Sequence, residues 1–282
     1  MTGPDRGMSR RAMLSGVAGA AILSEAACTG PAGSPGGASS SSLASSTSNQ
    51  AASRTASAPA GSGSQAPAST SDSSDGVALA DPGPDISSGP ADRPFVALTF
   101  HGAGDPALTA QVLALASAAS AGITVFAVGQ WLDAHPELGR AIVAAGHDLG
   151  NHTWSHQEMP RLTLAQATDE VRRGADAVTR AIGSAGLLFR PSGTPTSTPA
   201  IRAAAATAGY QRCVSYDVDP ADYTDPGAEA VRSRTLASVM PGSIVSLHLG
   251  HPGTVAALPG ILAGLAVKGL TPVPVSRLLT PT

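Results

Sequence analysis

Between residues 91 and 282, short apolar runs alternate with segments of helical spacing. The strand-like runs are PFVALTF, ITVFAVG, HDLGNH, GLLFRP, QRCVSYDVD, SIVSLHL and TPVPV. Between them, ALTAQVLALASAASA repeats Leu and Val at three- and four-residue steps. TLAQATDEVRRGADAVTRAIG opens with Thr163 and carries Gln166 three positions on, the pattern of a capping box. STPAIRAAAATAG has Pro199 near its first turn and Gly209 at its end. Strands separated by helices pair in parallel, and seven such units predict an α/β fold closed, or nearly closed, into a (β/α)7 barrel. About 190 residues suffice for one core of this kind.

The polar residues then fall in one place. His101 follows the first strand, His152 the third, Arg190 the fourth and Asp219 the fifth, and His248 ends the sixth. Carboxyl ends of strands converge on one mouth of a β/α barrel, where active sites are built. A single histidine at a strand end is an ordinary structural residue; five convergent polar groups are hard to explain as packing. The third strand leads into Asn151-His152-Thr153-Trp154-Ser155-His156, and histidines four apart can reach one metal ion from one side.

The first ninety residues have a different character. Arg10 and Arg11 precede a small apolar run too short for the ~20 residues that span a bilayer, so a cleaved signal is expected rather than a transmembrane anchor. SRRAML matches a twin-arginine export signal, and Cys28 after Glu-Ala-Ala resembles a lipoprotein cleavage site, with Glu25 where an aliphatic residue is usual. Residues 29–90 are nearly all Ser, Ala, Gly, Pro and Thr and read as a disordered tether spanning ~45 Å on average. The expected organisation is a signal over 1–28, a linker over 29–90 and a globular domain over 91–282, either secreted or lipid-anchored on the outer face of the membrane. With a net charge of −3 and no basic run, nucleic acid is not an expected partner. The only membrane contact expected is the lipid, and the chain is expected to be a monomer. Cys213, in RCVSYDV, is expected to be a core thiol.

GHDLGNHTWSH, LFRPSG, YDVDPADY and SIVSLH resemble, in order and spacing, the motifs of the polysaccharide deacetylases, the NodB-homology domain of carbohydrate esterase family 4. VALTF…GDPALT, with WLDAHPEL behind it, resembles that family's opening segment, so the resemblance covers residues 94–279. It implies a distorted (β/α)7 barrel and removal of N-acetyl groups from a GlcNAc-containing glycan, such as peptidoglycan, with help from a divalent metal, usually Zn2+. It also implies roles: His152 and His156 as metal ligands, His248 as general acid, Asp219 as the carboxylate that orients it, and Arg190 as partner of the site's acidic groups. Val245 and Leu247 would shape the acetyl pocket, Tyr223 would stand for the usual tryptophan, Gly193 would offer a backbone N–H, and Trp154 would stack on sugar.

The opening motif departs from the family. Thr-Phe-Asp-Asp-Gly-Pro is replaced by Thr-Phe-His-Gly-Ala-Gly, so His101 takes the general-base position and Gly102 the metal-aspartate position. His101 is expected to serve as the third metal ligand or as the base; if it is not a ligand, metal binding is weak or absent. Asp105 is the other acid near the turn, and Asp222 is expected to brace the Asp219 loop. Three further outcomes stay open: an inactive glycan-binding relative, an O-acetyl esterase in the same mouth, and a lectin-like module.

Overall fold

The computed structural model describes residues 82–281; the expected signal, Cys28 and the tether up to residue 81 lie outside the described residues. β1 (Phe95–Gly102), β2 (Ile123–Ala127), β3 (Asp148–Asn151) and β4 (Ile244–His248) form a parallel sheet in the order β3-β2-β1-β4, and the short β5 (Thr271–Pro272) pairs with the start of β1. On the remaining side the ring continues only through isolated parallel bridges, Asn151 to Phe189, Phe189 to Cys213 and Val218 to Val245. This is a distorted β/α barrel. GLLFRP and QRCVSYDVD, expected as full strands, pair at single residues, because Pro191 and the turns beside them cut the ladder short.

Side-chain parity decides what reaches the barrel interior. On β1, Val96, Leu98 and Phe100 are fully buried in the main apolar cluster, whereas Ala97, Thr99 and His101 point inward. β4 follows the same rule, with Val245 and Leu247 buried in that cluster and Ser246 and His248 lining the interior cleft. The register between the strands places His101 opposite His248.

Helices fill the sequence between the strands: α1 (Pro106–Ala118), α2 (Gly129–Ala134), α3 (Pro136–Ala144), α4 (Leu164–Ile182), α5 (Pro199–Thr207), α6 (Ala228–Ser238), α7 (Pro252–Val267) and α8 (Val275–Leu278). The capping box of Thr163 and Gln166 forms at the start of α4. Asp105 caps α1 by accepting from the Ala107 N–H at 2.8 Å, so it does not turn back into the mouth. Gly174 lets α4 close onto the HTWSH segment, since a Cβ there would collide with the Asn151 side chain. No described helix is long and apolar enough to cross a membrane. Cys213 is buried, as its apolar context requires.

The tether boundary expected at residue 90 needs correction. The Ile86 N–H donates to Cys213 O (2.9 Å), the Ser215 N–H donates to Ile86 O (2.7 Å), and the Gly89 N–H donates to Gly242 O (2.8 Å). Composition alone misses this segment, because Asp-Ile-Ser-Ser is held by its backbone and has one apolar anchor, Ile86. A chain beginning at residue 91 is therefore expected to unfold at a lower urea concentration than one beginning at residue 82. Coincident unfolding curves would show that the segment contributes nothing.

Candidate active site

The functional side chains meet on one hydrogen-bonded line. Arg190 Nη1 lies 3.1 Å from His101 Nε2, His101 Nδ1 lies 2.8 Å from His248 Nε2, and His248 Nδ1 lies 2.8 Å from Asp222 Oδ1. A guanidinium only donates and a carboxylate only accepts, so the two ends fix the direction of every bond between them. Arg190 donates to His101 Nε2, the His101 Nδ1–H donates to His248 Nε2, and the His248 Nδ1–H donates to Asp222. Each imidazole then carries one proton and is neutral.

The carboxylate on His248 is Asp222, not Asp219. Asp222 is 1% exposed and sits in the 3-10 turn Asp222–Thr224; its Oδ2 also accepts from the His248 N–H (2.8 Å) and the Thr254 hydroxyl (2.6 Å). Asp219 instead accepts from the Ala221 N–H at 2.8 Å and lies exposed on the rim. The segment DPAD offers two acids three residues apart, and only the turn after Pro220 decides which one faces the histidine. That turn has no decisive sequence signal.

Arg190 also differs from its expected role. It is 1% exposed and donates to Val214 O (3.0 Å), Ser215 O (2.8 Å) and the Thr99 hydroxyl (2.8 Å) as well as to His101. None of these hydrogen bonds among the described residues goes to a carboxylate. The guanidinium lies 4.2 Å from the Phe126 ring centroid, and burial pushes its pKa down to about 9, which leaves it charged at neutral pH.

His152 and His156 stand beside this line. The His152 ring stacks on His101 at 4.5 Å between centroids and meets His156 edge-on at 4.9 Å. Its Nδ1–H donates to Arg190 O at 2.8 Å, which leaves Nε2 as a buried acceptor with no partner. Glu170 of α4, missed in the sequence, holds the loop: its carboxylate accepts from the N–H groups of Trp154 (3.1 Å) and Ser155 (2.8 Å) and from the Ser155 hydroxyl (2.6 Å). The clamp holds a loop in which Thr153 (φ 66°) and His156 (φ 59°) adopt left-handed conformations that cost energy in non-glycine residues.

A cleft of about 340 Å³ opens over the site, lined among others by His101, His152, His156, Asp219, Tyr223 and His248. Gly193 also lines it, at φ 69°, in a position where a Cβ would meet Glu158 Cα at 2.8 Å. Tyr216 and Ser246 line it too and were not singled out from the sequence; Ser246 could have been found from its two-residue spacing to His248. Three expected cleft residues are elsewhere. Val245 and Leu247 face the outer core by strand parity, and Trp154 lies under Arg173, 4.5 Å from its guanidinium, against Gly129.

The donor set does not fit a metal centre with three protein ligands, the usual minimum for catalytic zinc. The His152 Nε2 lone pair and His156 supply two. His101 cannot be the third, because one of its nitrogens accepts from Arg190 and the other carries the proton given to His248. Gly102 has no side chain, and a Cβ there would lie 2.8 Å from Val125 Cγ1. No group of three His, Cys, Asp or Glu side chains able to hold one ion occurs among the described residues.

The sequence profile described as polysaccharide deacetylase matches residues 88–213. The chain is 36% identical over 159 residues to a chitooligosaccharide deacetylase of Bradyrhizobium sp., covering 56% of this chain and 71% of that protein. It is 33% identical over 194 residues to a peptidoglycan-N-acetylglucosamine deacetylase of Bacillus cereus, covering 67% of this chain and 90% of that protein. The crystal structure of a family 4 carbohydrate esterase pseudoenzyme from Bacillus anthracis superimposes with a TM-score of 0.64 at 22% identity, over 70% of this chain and 69% of that one, which is a likeness of fold.

Burial holds His101 and His152 well below the ordinary histidine value of 6.5, with neighbouring histidines adding to it and Arg190 adding to it at His101, while the hydrogen bond to Arg190 O opposes it at His152; burial also lowers His147 and His156. In the unfolded chain these groups protonate near pH 6.5. Below that pH the unfolded chain binds protons that the folded chain refuses, so stability falls as the pH falls, by up to about tenfold in the folding constant per pH unit for each histidine. Urea midpoints are expected to hold steady above pH 7 and to drop between about pH 6.5 and 5, with a shallower drop in His101→Gln. A flat profile over that range would show that the folded chain carries these histidines charged.

Proposed function

We infer the function from one premise: the chain belongs to the polysaccharide deacetylase family. We propose that it is a hydrolase that removes N-acetyl groups from a GlcNAc-containing glycan, with peptidoglycan as the leading substrate. We further propose that it works outside the cell, exported by its twin-arginine signal and held by lipid on Cys28. The observation that carries the catalytic reading is the His248–Asp222 pair. Its imidazole is oriented by a fully buried carboxylate and faces a cleft of about 340 Å³, large enough to take an acetamido group and part of its sugar.

Amide hydrolysis takes a proton from water and gives one to the departing nitrogen. In the proposed reaction, His248 Nε2 takes the proton as the water oxygen bonds to the acetyl carbonyl carbon. Asp222, on the opposite nitrogen, stabilises the imidazolium so formed. The imidazolium then passes that proton to the nitrogen as the C–N bond breaks, leaving a free amine and acetic acid, which ionises to acetate in water. Tyr223, 5.4 Å from the His248 ring and half exposed, forms a wall for the sugar. An O-acetyl ester would follow the same steps with an easier leaving group.

Acetate release from N-acetylglucosamine oligomers and from peptidoglycan fragments tests the reading. His248→Ala and Asp222→Asn are each expected to lower turnover by about 10²–10⁴-fold, the range for a general acid–base group. Asp219→Asn is expected to change it far less. No acetate from any of these substrates would favour a binding role, which the missing third metal ligand supports.

Location has its own test. Cys28→Ala is expected to move the protein from the membrane fraction to the medium. Equal release of wild type and variant would exclude lipid anchoring.

A further inference from the structure

His101 holds its Nδ1–H at the edge of the cleft, locked in that tautomer from behind. Arg190 Nη1 donates to His101 Nε2, so that nitrogen must present a lone pair, and the proton of the neutral ring sits on Nδ1. The Nδ1–H points at His248 Nε2, 2.8 Å away, and both rings line the cleft. The group that takes water's proton and a hydrogen-bond donor thus stand side by side. In the resting site they occupy one another.

We propose that His101 is a catalytic residue of this site, donating its Nδ1–H to the acetyl oxygen as negative charge develops there, and that the centre works without a tightly held divalent cation. The proposal rests on the hydrolase reading above. When an acetyl group enters, its carbonyl oxygen competes with His248 Nε2 for the His101 N–H. Winning it does two things at once: it polarises the carbonyl and frees His248 Nε2 to accept the proton of the attacking water. A neutral imidazole whose other nitrogen is pinned as an acceptor is a competent electrophile of this kind. Arg190 is a positioning residue here, because it touches no substrate and sets the tautomer that does.

Charge bookkeeping points the same way. Arg190 is a buried cation with no carboxylate on its hydrogen bonds, directly behind His101. A dication a few ångströms further on would be held by two neutral histidines and no anion. The only fully buried carboxylate in the cluster, Asp222, is already committed to His248 and Thr254. Accumulating like charges in a low-dielectric site without a counter-charge is unfavourable.

The test uses the full chain, stripped of metal, with two readouts. Acetate release by the wild type is expected to persist in EDTA, and about a tenfold excess of zinc is expected to leave the unfolding temperature unchanged, since a ligand that does not bind does not stabilise. His101→Ala is expected to lower kcat about 10²–10³-fold with KM little changed, the loss that follows removal of one oxyanion donor. His101→Asn, which keeps a neutral N–H donor, is expected to recover part of it. Loss of activity in EDTA with recovery by zinc, or one equivalent of tightly bound zinc on calorimetry, overturns the metal-free centre while leaving the hydrolase reading intact. Unchanged kcat in His101→Ala overturns the donor role. Absence of turnover under every metal condition overturns both the hydrolase reading and the donor role, while zinc calorimetry still decides the metal question.

Discussion

A buried guanidinium without a carboxylate on its hydrogen bonds organises this site. Arg190 spends its donors on two backbone carbonyls, one hydroxyl and one imidazole. The carbonyls of Val214 and Ser215 belong to the side of the barrel where pairing is reduced to single bridges, so the arginine substitutes side-chain hydrogen bonds for missing ladder bonds. Its remaining contacts set the protonation pattern of the active centre. Because a guanidinium cannot accept, His101 must, and each proton down the line to Asp222 then has only one place to be. Removing the charge is therefore expected to loosen both the wall of the barrel and the tautomers of two histidines.

Much of this was legible in the sequence, and the reason is parity. A period of two places alternate residues of a strand on opposite faces, so a histidine one residue before the end of β1 and a histidine ending β4 both reach the mouth once the register is set. The same period excludes Val245 and Leu247 from the cleft, because they are out of phase with His248. The resemblance assigned those two residues to the acetyl pocket, and strand geometry overrules it. Helix ends were legible for a similar reason, since capping residues such as Thr163 act over three positions of local chain.

What was not legible depends on chain paths between elements. Whether Asp219 or Asp222 reaches His248 is settled by one turn of 3-10 helix and by the Thr254 hydroxyl arriving from α7. The placing of Trp154 under Arg173 depends on how α4 crosses the HTWSH loop, and that crossing depends on a glycine at position 174. Glu170 belongs with these: nothing near it in sequence marks it as the clamp of a loop fifteen residues earlier. Composition also failed at residues 84–90, where Ser and Pro suggested disorder while backbone hydrogen bonds to 213–215 and 242 hold the chain down.

The change from aspartate to histidine at position 101 alters more than one side chain. An aspartate there would neutralise Arg190 and could only accept hydrogen bonds, so a neighbouring His248 would have to donate to it from Nε2. A histidine leaves the guanidinium charge uncompensated and turns an acceptor into a donor. His248 Nε2 then accepts from it, with a lone pair where the other arrangement has a proton. Polarity is reversed at the bond between positions 101 and 248 alone, while the bonds from Arg190 and to Asp222 keep their direction, because a guanidinium can only donate and a carboxylate can only accept. The glycine at position 102 is consistent with that reversal, because a second carboxylate aimed at His152 and His156 has no role in a site that polarises its substrate through an N–H. The packing agrees: the space a Cβ would need at that position is taken by Val125 and the β2 backbone.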